Sequence, residues 1–227
     1  MIMEFLTAIH DYPFLRYAIA AGFLASLACG ITGTFVVVKR MGYVSGGIAH
    51  AALGGIGIAL FMKSDPLTGA VASALIAAII LGLVTLRVKE HADTVISALW
   101  AIGMAVGIIF MSRTPGYNAG LMTYLFGNIL MVSAPDLAVL VWLDAGIIII
   151  VVIFFRQFVA MAFDSDYAML RGLRVELLYL LLLCLIALTI VVLIRIVGLI
   201  LVIALLTLPS AIAGNIDIGD GPLRVGL

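Results

Sequence analysis

Charge is what this chain has least of. Only 11% of its 227 residues are Asp, Glu, Lys or Arg while 65% are hydrophobic, and mean hydropathy is +1.33. So little polar surface cannot clothe a soluble globule of this length, and a polytopic membrane protein is the class that remains. Twelve basic residues balance twelve acidic ones, which argues against a nucleic-acid partner and against a polybasic lipid anchor. Cysteine is scarce as well. Cys29 and Cys184 stand far apart in apolar stretches with no CxxC spacing, so a disulfide framework or zinc knuckle is excluded and both read as packing residues. Also missing are GxxxxGK[ST], GxSxG and HExxH. Without them the chain has no recognisable means of hydrolysing ATP and no catalytic constellation, so its energy source is another chain or an ion gradient.

What is present is a succession of apolar runs. About 20 such residues cross the hydrocarbon core, and runs of this kind lie at 15–38, 44–62, 66–86, 92–111, 135–155, 177–194 and 196–213. The sequence therefore predicts an all-α bundle of about seven transmembrane helices in the cell (inner) membrane, a single transmembrane domain over 1–216. Leu121 to Val132 is too short to span comfortably and lies between Pro115 and Pro135, so a re-entrant or surface helix is expected there. The start of the chain carries Glu4 and Asp11 before its first Arg, which is no basic leader, so the first run is expected to stay as a membrane helix.

Alternating the loops puts Lys39, Arg40, Arg87, Lys89, Arg156, Arg171, Arg174 and Arg224 on one side. Arg16, Lys63, Arg113 and Arg195 fall on the other. The richer side is cytoplasmic by the positive-inside rule, which places the amino terminus and residues 112–134 outside.

His50 is the one ionisable residue in the run Val44 to Met62. Such a group is costly inside a bilayer, so it marks a functional site by default, and neutral imidazole is a good ligand for a borderline transition metal. At a 3.6-residue period Gly46, His50, Gly54 and Gly57 share one helix face with almost no side-chain bulk around the imidazole. Either another backbone packs on that face or a cavity remains open there. His10 and His91 lie at run ends and read as wet surface residues, with Glu90 and Asp93 flanking the latter at the interface. Asp144, inside the fifth run, can snorkel, face the bundle or belong to a pathway.

A polar interruption follows the fifth run, and within 163–175 it reads FDSDYAMLRGLRV. Ser165 or Asp166 can cap a short helix that Gly172 ends in a left-handed conformation. Tyr167, Met169 and Leu170 would give it an apolar side, which suits either docking to a partner or an ordinary interfacial loop.

Read together, GTFVVVKRMGYVSGGIAHAALGG at 33–55, TYLFGNILMVS at 123–133, FDSDYAMLRGL at 163–173 and VGLILVIALLTLPSAIA at 197–213 resemble the permeases of the ABC-3 family. The resemblance covers nearly the whole chain in order. It implies a type II ABC importer fold and import of divalent zinc, manganese or iron as transported cargo, with no resident cofactor. It also implies a homodimer, separate cytoplasmic ATPase subunits and an extracytoplasmic metal-binding protein. By the same resemblance His50 lines the cation path, with Gly46 and Gly54 beside it, and the segment holding Asp166, Tyr167, Leu170, Gly172 and Leu173 is the helix that couples to the ATPase. The family's usual acid four residues before this histidine is replaced here by Gly46. Similar permeases continue into further membrane helices, whereas 217–227 is a polar, Gly/Pro-containing tail, so this copy reads as truncated or frameshifted. Two other functions fit the composition: a vitamin B12 or siderophore type of ABC permease, and an ion-coupled carrier or channel.

Overall fold

Proline and small polar caps decide where the membrane helices begin. In the computed structural model, which describes residues 9, 11–88, 92–114 and 120–215, α1 (Pro13–Val38) opens on proline. Helix α2 (Gly42–Phe61) follows a three-residue turn in which Arg40 takes a positive φ. Helix α3 (Pro66–Arg87) starts on Pro66, with the Asp65 carboxylate accepting from Thr68 N–H at 3.1 Å. Proline at the first helical position wastes no hydrogen bond, and an aspartate before it satisfies a free N–H.

After α4 (Ala92–Ser112) come the short α5 (Gly120–Phe126) and a 3-10 turn at Ile129–Met131. Helix α6 (Ala134–Phe163) begins with a capping box between Ser133 and Asp136. Helix α7 (Ser165–Leu170) and the long α8 (Val175–Asn215) complete the described chain.

Among the described residues six helices, α1 to α4, α6 and α8, are long and apolar enough to cross a membrane. The expected seventh run is the continuation of the sixth. Helix α8 breaks at Gly198 (φ 78°, ψ 167°), not at residues 194–196. Its two arms run in opposite directions. Leu180 lies against Gly82, near the end of α3, while Val191 and Ile194 gather with Pro66 and Ala70 at its start. Beyond the break Ile203 faces Gly46 and Thr207 faces Gly42, so the second arm descends antiparallel to α2.

The expected re-entrant piece is α5 with its 3-10 turn, and it closes onto this break. Gly127 (φ 69°) and Gly198 cross so closely that a Cβ on either would fall on the other's backbone. L-residues are strained at such φ and no side chain fits there, so both positions require glycine. An ion pair from Arg195 to Asp136 ties the first arm to the start of α6 beside the crossing.

Helix α8 packs against α1 and α6 on one flank and α2 and α3 on the other. Helix α2 is in turn enclosed by α3, α4 and α8, so most of it is buried. The fifth run extends further than hydropathy suggests, since α6 continues through Arg156 and Gln157 to Phe163 and carries α7 away from the apolar zone. His10, Glu90, His91 and the tail 217–227 lie outside the described residues.

Candidate transport site and docking turn

Glycine brings α2 within backbone contact of its neighbours. A Cβ on Gly57 would stand 2.5 Å from the Gly107 carbonyl oxygen, one on Gly54 3.0 Å from that of Gly103, and one on Gly55 would strike Ser73 and the Gly69 carbonyl. Small residues permit such approaches, and close van der Waals packing is what holds helices together where lipid is as apolar as protein. Helices α2 and α4 run side by side in the same direction, with Gly54 opposite Gly103 and Gly57 opposite Gly107.

The face predicted from periodicity is this one, and it is filled in two ways. Backbone of α4 covers Gly54 and Gly57. At Gly46 the indole of Trp100 takes over, since a Cβ there would meet Trp100 Cζ3 at 3.0 Å, Cη2 at 3.1 Å and Ile203 Cδ1 at 3.2 Å. The same indole stacks on His50, with ring centroids 4.5 Å apart and planes 26° from parallel. The Tyr43 ring lies tilted at 5.8 Å from the indole, and its hydroxyl hydrogen-bonds with Ser97, one turn before Trp100. His50 and Trp100 are each half-buried, yet His50 Nδ1 is fully enclosed and has no hydrogen-bond partner. A buried ring nitrogen left unpaired costs free energy, so it is a place where an incoming group would gain.

Asp144 does not snorkel. It is 2% exposed on α6, faces the bundle close enough to Cys29 of α1 to interact electrostatically, and neither carboxylate oxygen has a partner. His50 and Asp144 belong to different helix groups, and among the described residues no three His, Cys, Asp or Glu side chains converge as a metal cage. Asp93 lies in the first turn of α4.

The capped turn forms at α7, with one correction. Its N-cap is Asp164, whose Oδ1 accepts from Asp166 N–H at 3.0 Å and Tyr167 N–H at 2.9 Å, rather than Ser165 or Asp166. Asp164 is the residue whose backbone is still extended (φ −147°) where the helix begins, and only such a residue can aim its carboxylate back at those N–H groups. Gly172 ends the turn at φ 80°, as the sequence leads one to expect. Ala168 is buried beneath it, whereas Leu170 is 88% exposed and Tyr167 and Met169 project beside it. Arg171 donates to the Tyr167 hydroxyl from Nε and Nη2 at 2.8 and 2.6 Å. Lys39, at the end of α1, donates from Nζ to Ser165 Oγ at 2.9 Å, and its partial burial holds the ammonium pKa below the usual lysine value. Arg156, Gln157, Tyr167, Arg171 and Leu173 line a cavity of about 310 Å³ on this side.

Four residues escaped the sequence reading. Trp100, Gly103 and Gly107 sit at i, i+3 and i+7, so the spacing that exposed the α2 stripe carries the matching stripe on α4. Asp136 has no comparable signal, because its contact with Arg195 spans 59 positions.

A bundle of membrane-capable helices around a half-buried histidine, with an exposed capped turn on the basic side, defines a membrane-spanning transport subunit. Residues 11–218 match the model of the ABC 3 transport family, and the chain belongs to that family. It is therefore a multi-pass permease subunit of an ABC importer, not itself a catalyst, and its ATPase and substrate-binding components are separate partners. It is 45% identical to a probable metal transport system membrane protein of Chlamydia trachomatis over 207 residues, covering 88% of this chain and 71% of that protein. It is 31% identical to a manganese transport system membrane protein of Halalkalibacterium halodurans, covering 89% and 70% respectively. Among solved structures it superposes on PsaBC from Streptococcus pneumoniae in complex with Fab with a TM-score of 0.83 at 30% identity, covering 94% of this chain and 76% of that one.

Proposed function

We propose that this permease carries a divalent first-row transition-metal ion across the membrane past His50, driven by an ATPase that docks on α7. The observation that carries the reading is the enclosed, unpartnered Nδ1 of a histidine in the middle of a membrane helix. Family membership and relatives named for metal and manganese transport support the cargo class. His50 and Trp100 lie half-buried at the surface of the protomer between α2 and α4, which favours a path completed by a second copy and hence a homodimer. Gly46 and Gly54 act as the small residues beside the imidazole. On the basic side Asp166, Tyr167, Leu170, Gly172 and Leu173 form the contact for the ATPase, and the outer face receives a metal-binding protein.

The test is uptake of manganese or zinc into vesicles that hold the permease with its ATPase and binding protein. His50→Gln keeps the size and polarity of the site but removes the imidazole, so uptake falls to background while the subunit still inserts. Normal uptake by a well-expressed His50→Gln would sink the pathway role. Leu170→Asp places a charge in a small apolar contact, where it must be desolvated without a partner. The ATPase then fails to co-purify in detergent, and its continued co-purification would remove α7 from the interface.

A further inference from the structure

We propose that Trp100 is the specificity residue of this permease: it orients the His50 imidazole, occupies the volume beside Gly46, and selects nitrogen-preferring cations such as Zn²⁺ or Fe²⁺ over Mn²⁺. The inference rests on His50 being the pathway residue. Three observations carry it. The indole stacks on the imidazole at 4.5 Å with planes 26° apart, so the tryptophan restricts the plane in which the ring nitrogens lie. The indole edge fills the space that any side chain at residue 46 would need, with 3.0 Å left to a Cβ. Tyr43, tilted against the indole and hydrogen-bonded to Ser97 one turn earlier on α4, gives the indole a further aromatic neighbour.

The consequence is chemical. Helix α2 carries no acidic residue, and the single acid of α4, Asp93, sits in its first turn, seven positions before Trp100. Among the described residues of α2 and α4, a cation reaching His50 would thus be offered imidazole and aromatic carbon, with no carboxylate beside them. Imidazole suits zinc and iron, whereas manganese favours oxygen donors. Gly46 and Trp100 form a matched pair, because an acid at residue 46 and an indole at residue 100 compete for one volume. Trp100 thus acts on the cation through the ring that binds it, as a positioning group does in other metal sites.

Tryptophan fluorescence tests this directly. The chain holds two tryptophans, Trp100 and Trp142, and Trp142 is 78% exposed on α6, far out of the packed interior. Trp142→Phe leaves Trp100 as the only tryptophan of the permease, and its emission in the complete transporter is read as the difference from the same assembly carrying both Trp142→Phe and Trp100→Phe. Addition of Zn²⁺ is expected to change Trp100 emission in a saturable way, and His50→Gln in the same background is expected to abolish the change. In competition uptake, Gly46→Asp combined with Trp100→Ala is expected to shift the Zn²⁺ to Mn²⁺ ratio toward Mn²⁺ by about 10-fold, the size of effect typical for groups that orient a metal ligand. Gly46→Asp alone is expected to transport poorly, with activity rescued by the second substitution. Trp100→Phe alone keeps an aromatic ring on His50 and is expected to retain the Zn²⁺ preference; where Trp100→Ala does not fold, Gly46→Asp combined with Trp100→Phe, whose smaller ring frees part of the same volume, takes its place as the double variant and is expected to shift the ratio toward Mn²⁺. The proposal is overturned if Zn²⁺ binds by equilibrium dialysis in a His50-dependent manner while Trp100 emission stays constant, or if the double variant transports with an unchanged ratio. If instead His50→Gln leaves both Zn²⁺ binding and uptake intact, it is the pathway reading of His50 that fails.

Discussion

Helix α2 and helix α6 are both apolar membrane helices, yet 83% of the membrane window of α2 is buried inside the protein against 22% for α6. Helix α2 is built of glycine and alanine, and its neighbours reach its backbone. Helix α6 is built of Ile, Val and Phe, and Trp142, Ile149, Val152 and Ile153 point outward. The lesson reverses a habit formed on soluble proteins. Lipid solvates a large apolar side chain as well as protein does, so bulk need not go inside. What selects the interior is the ability to let two backbones approach.

The most severe way to break that contrast is to put bulk on α2. Gly57→Leu drives a branched side chain into the Gly107 backbone, which has no side chain to swing away. Overpacking commonly costs about 1–3 kcal/mol, and a backbone obstacle places this variant at or above about 3 kcal/mol. Loss of monodisperse protein in detergent, or a large fall in unfolding temperature, is the expected result. A stable Gly57→Leu would mean that α2 and α4 do not pack as described.

A smaller effect, of opposite sign, is expected at the one acid that α6 turns inward. Asp144 leaves both oxygens unpartnered in the bundle, so Asp144→Val removes an unsatisfied group and stabilises the subunit by about 1–3 kcal/mol. Thermal unfolding of the two proteins side by side decides it. A destabilised Asp144→Val would indicate that the carboxyl has a partner in the assembled transporter, and parallel uptake assays then show whether the residue is functional.

The smallest effect belongs to the outward face of α6. Ile153 is 62% exposed, and Ile153→Ala changes stability by less than about 0.5 kcal/mol, as at ordinary exposed positions. A loss several times larger in the purified assembly would show that this face is covered by protein.

Much of the fold was legible because a membrane span declares itself locally. The starts of α1, α3 and α6 lie within two residues of the runs read from hydropathy, since proline, aspartate and serine mark them in the sequence. Gly172 announced the end of α7 for the same local reason, whereas its cap shifted to Asp164 because Asp164, Ser165 and Asp166 compete and only backbone geometry picks one. The turn between the sixth and seventh runs was legible from Arg195, which interrupts the apolar sequence, but its place at Gly198 was not, as glycine is common in membrane helices. His50 was visible as a lone imidazole, but its companion Trp100 was not, for it lies fifty positions away on another helix.

By itself, then, the sequence determined that the chain enters the membrane, where it crosses, that a capped turn follows the fifth run and that residue 50 is the lone ionisable group of its helix. These follow from transfer free energies and capping bonds that each residue carries wherever the helix is placed. Tertiary structure alone decided that the turn of α8 falls at Gly198 against Gly127, that α4 fills the glycine stripe and that Asp144 faces inward. Those outcomes depend on how helices rotate and approach one another, and in a bilayer that choice is made by contact packing between distant segments, to which a residue's own hydrophobicity is nearly indifferent.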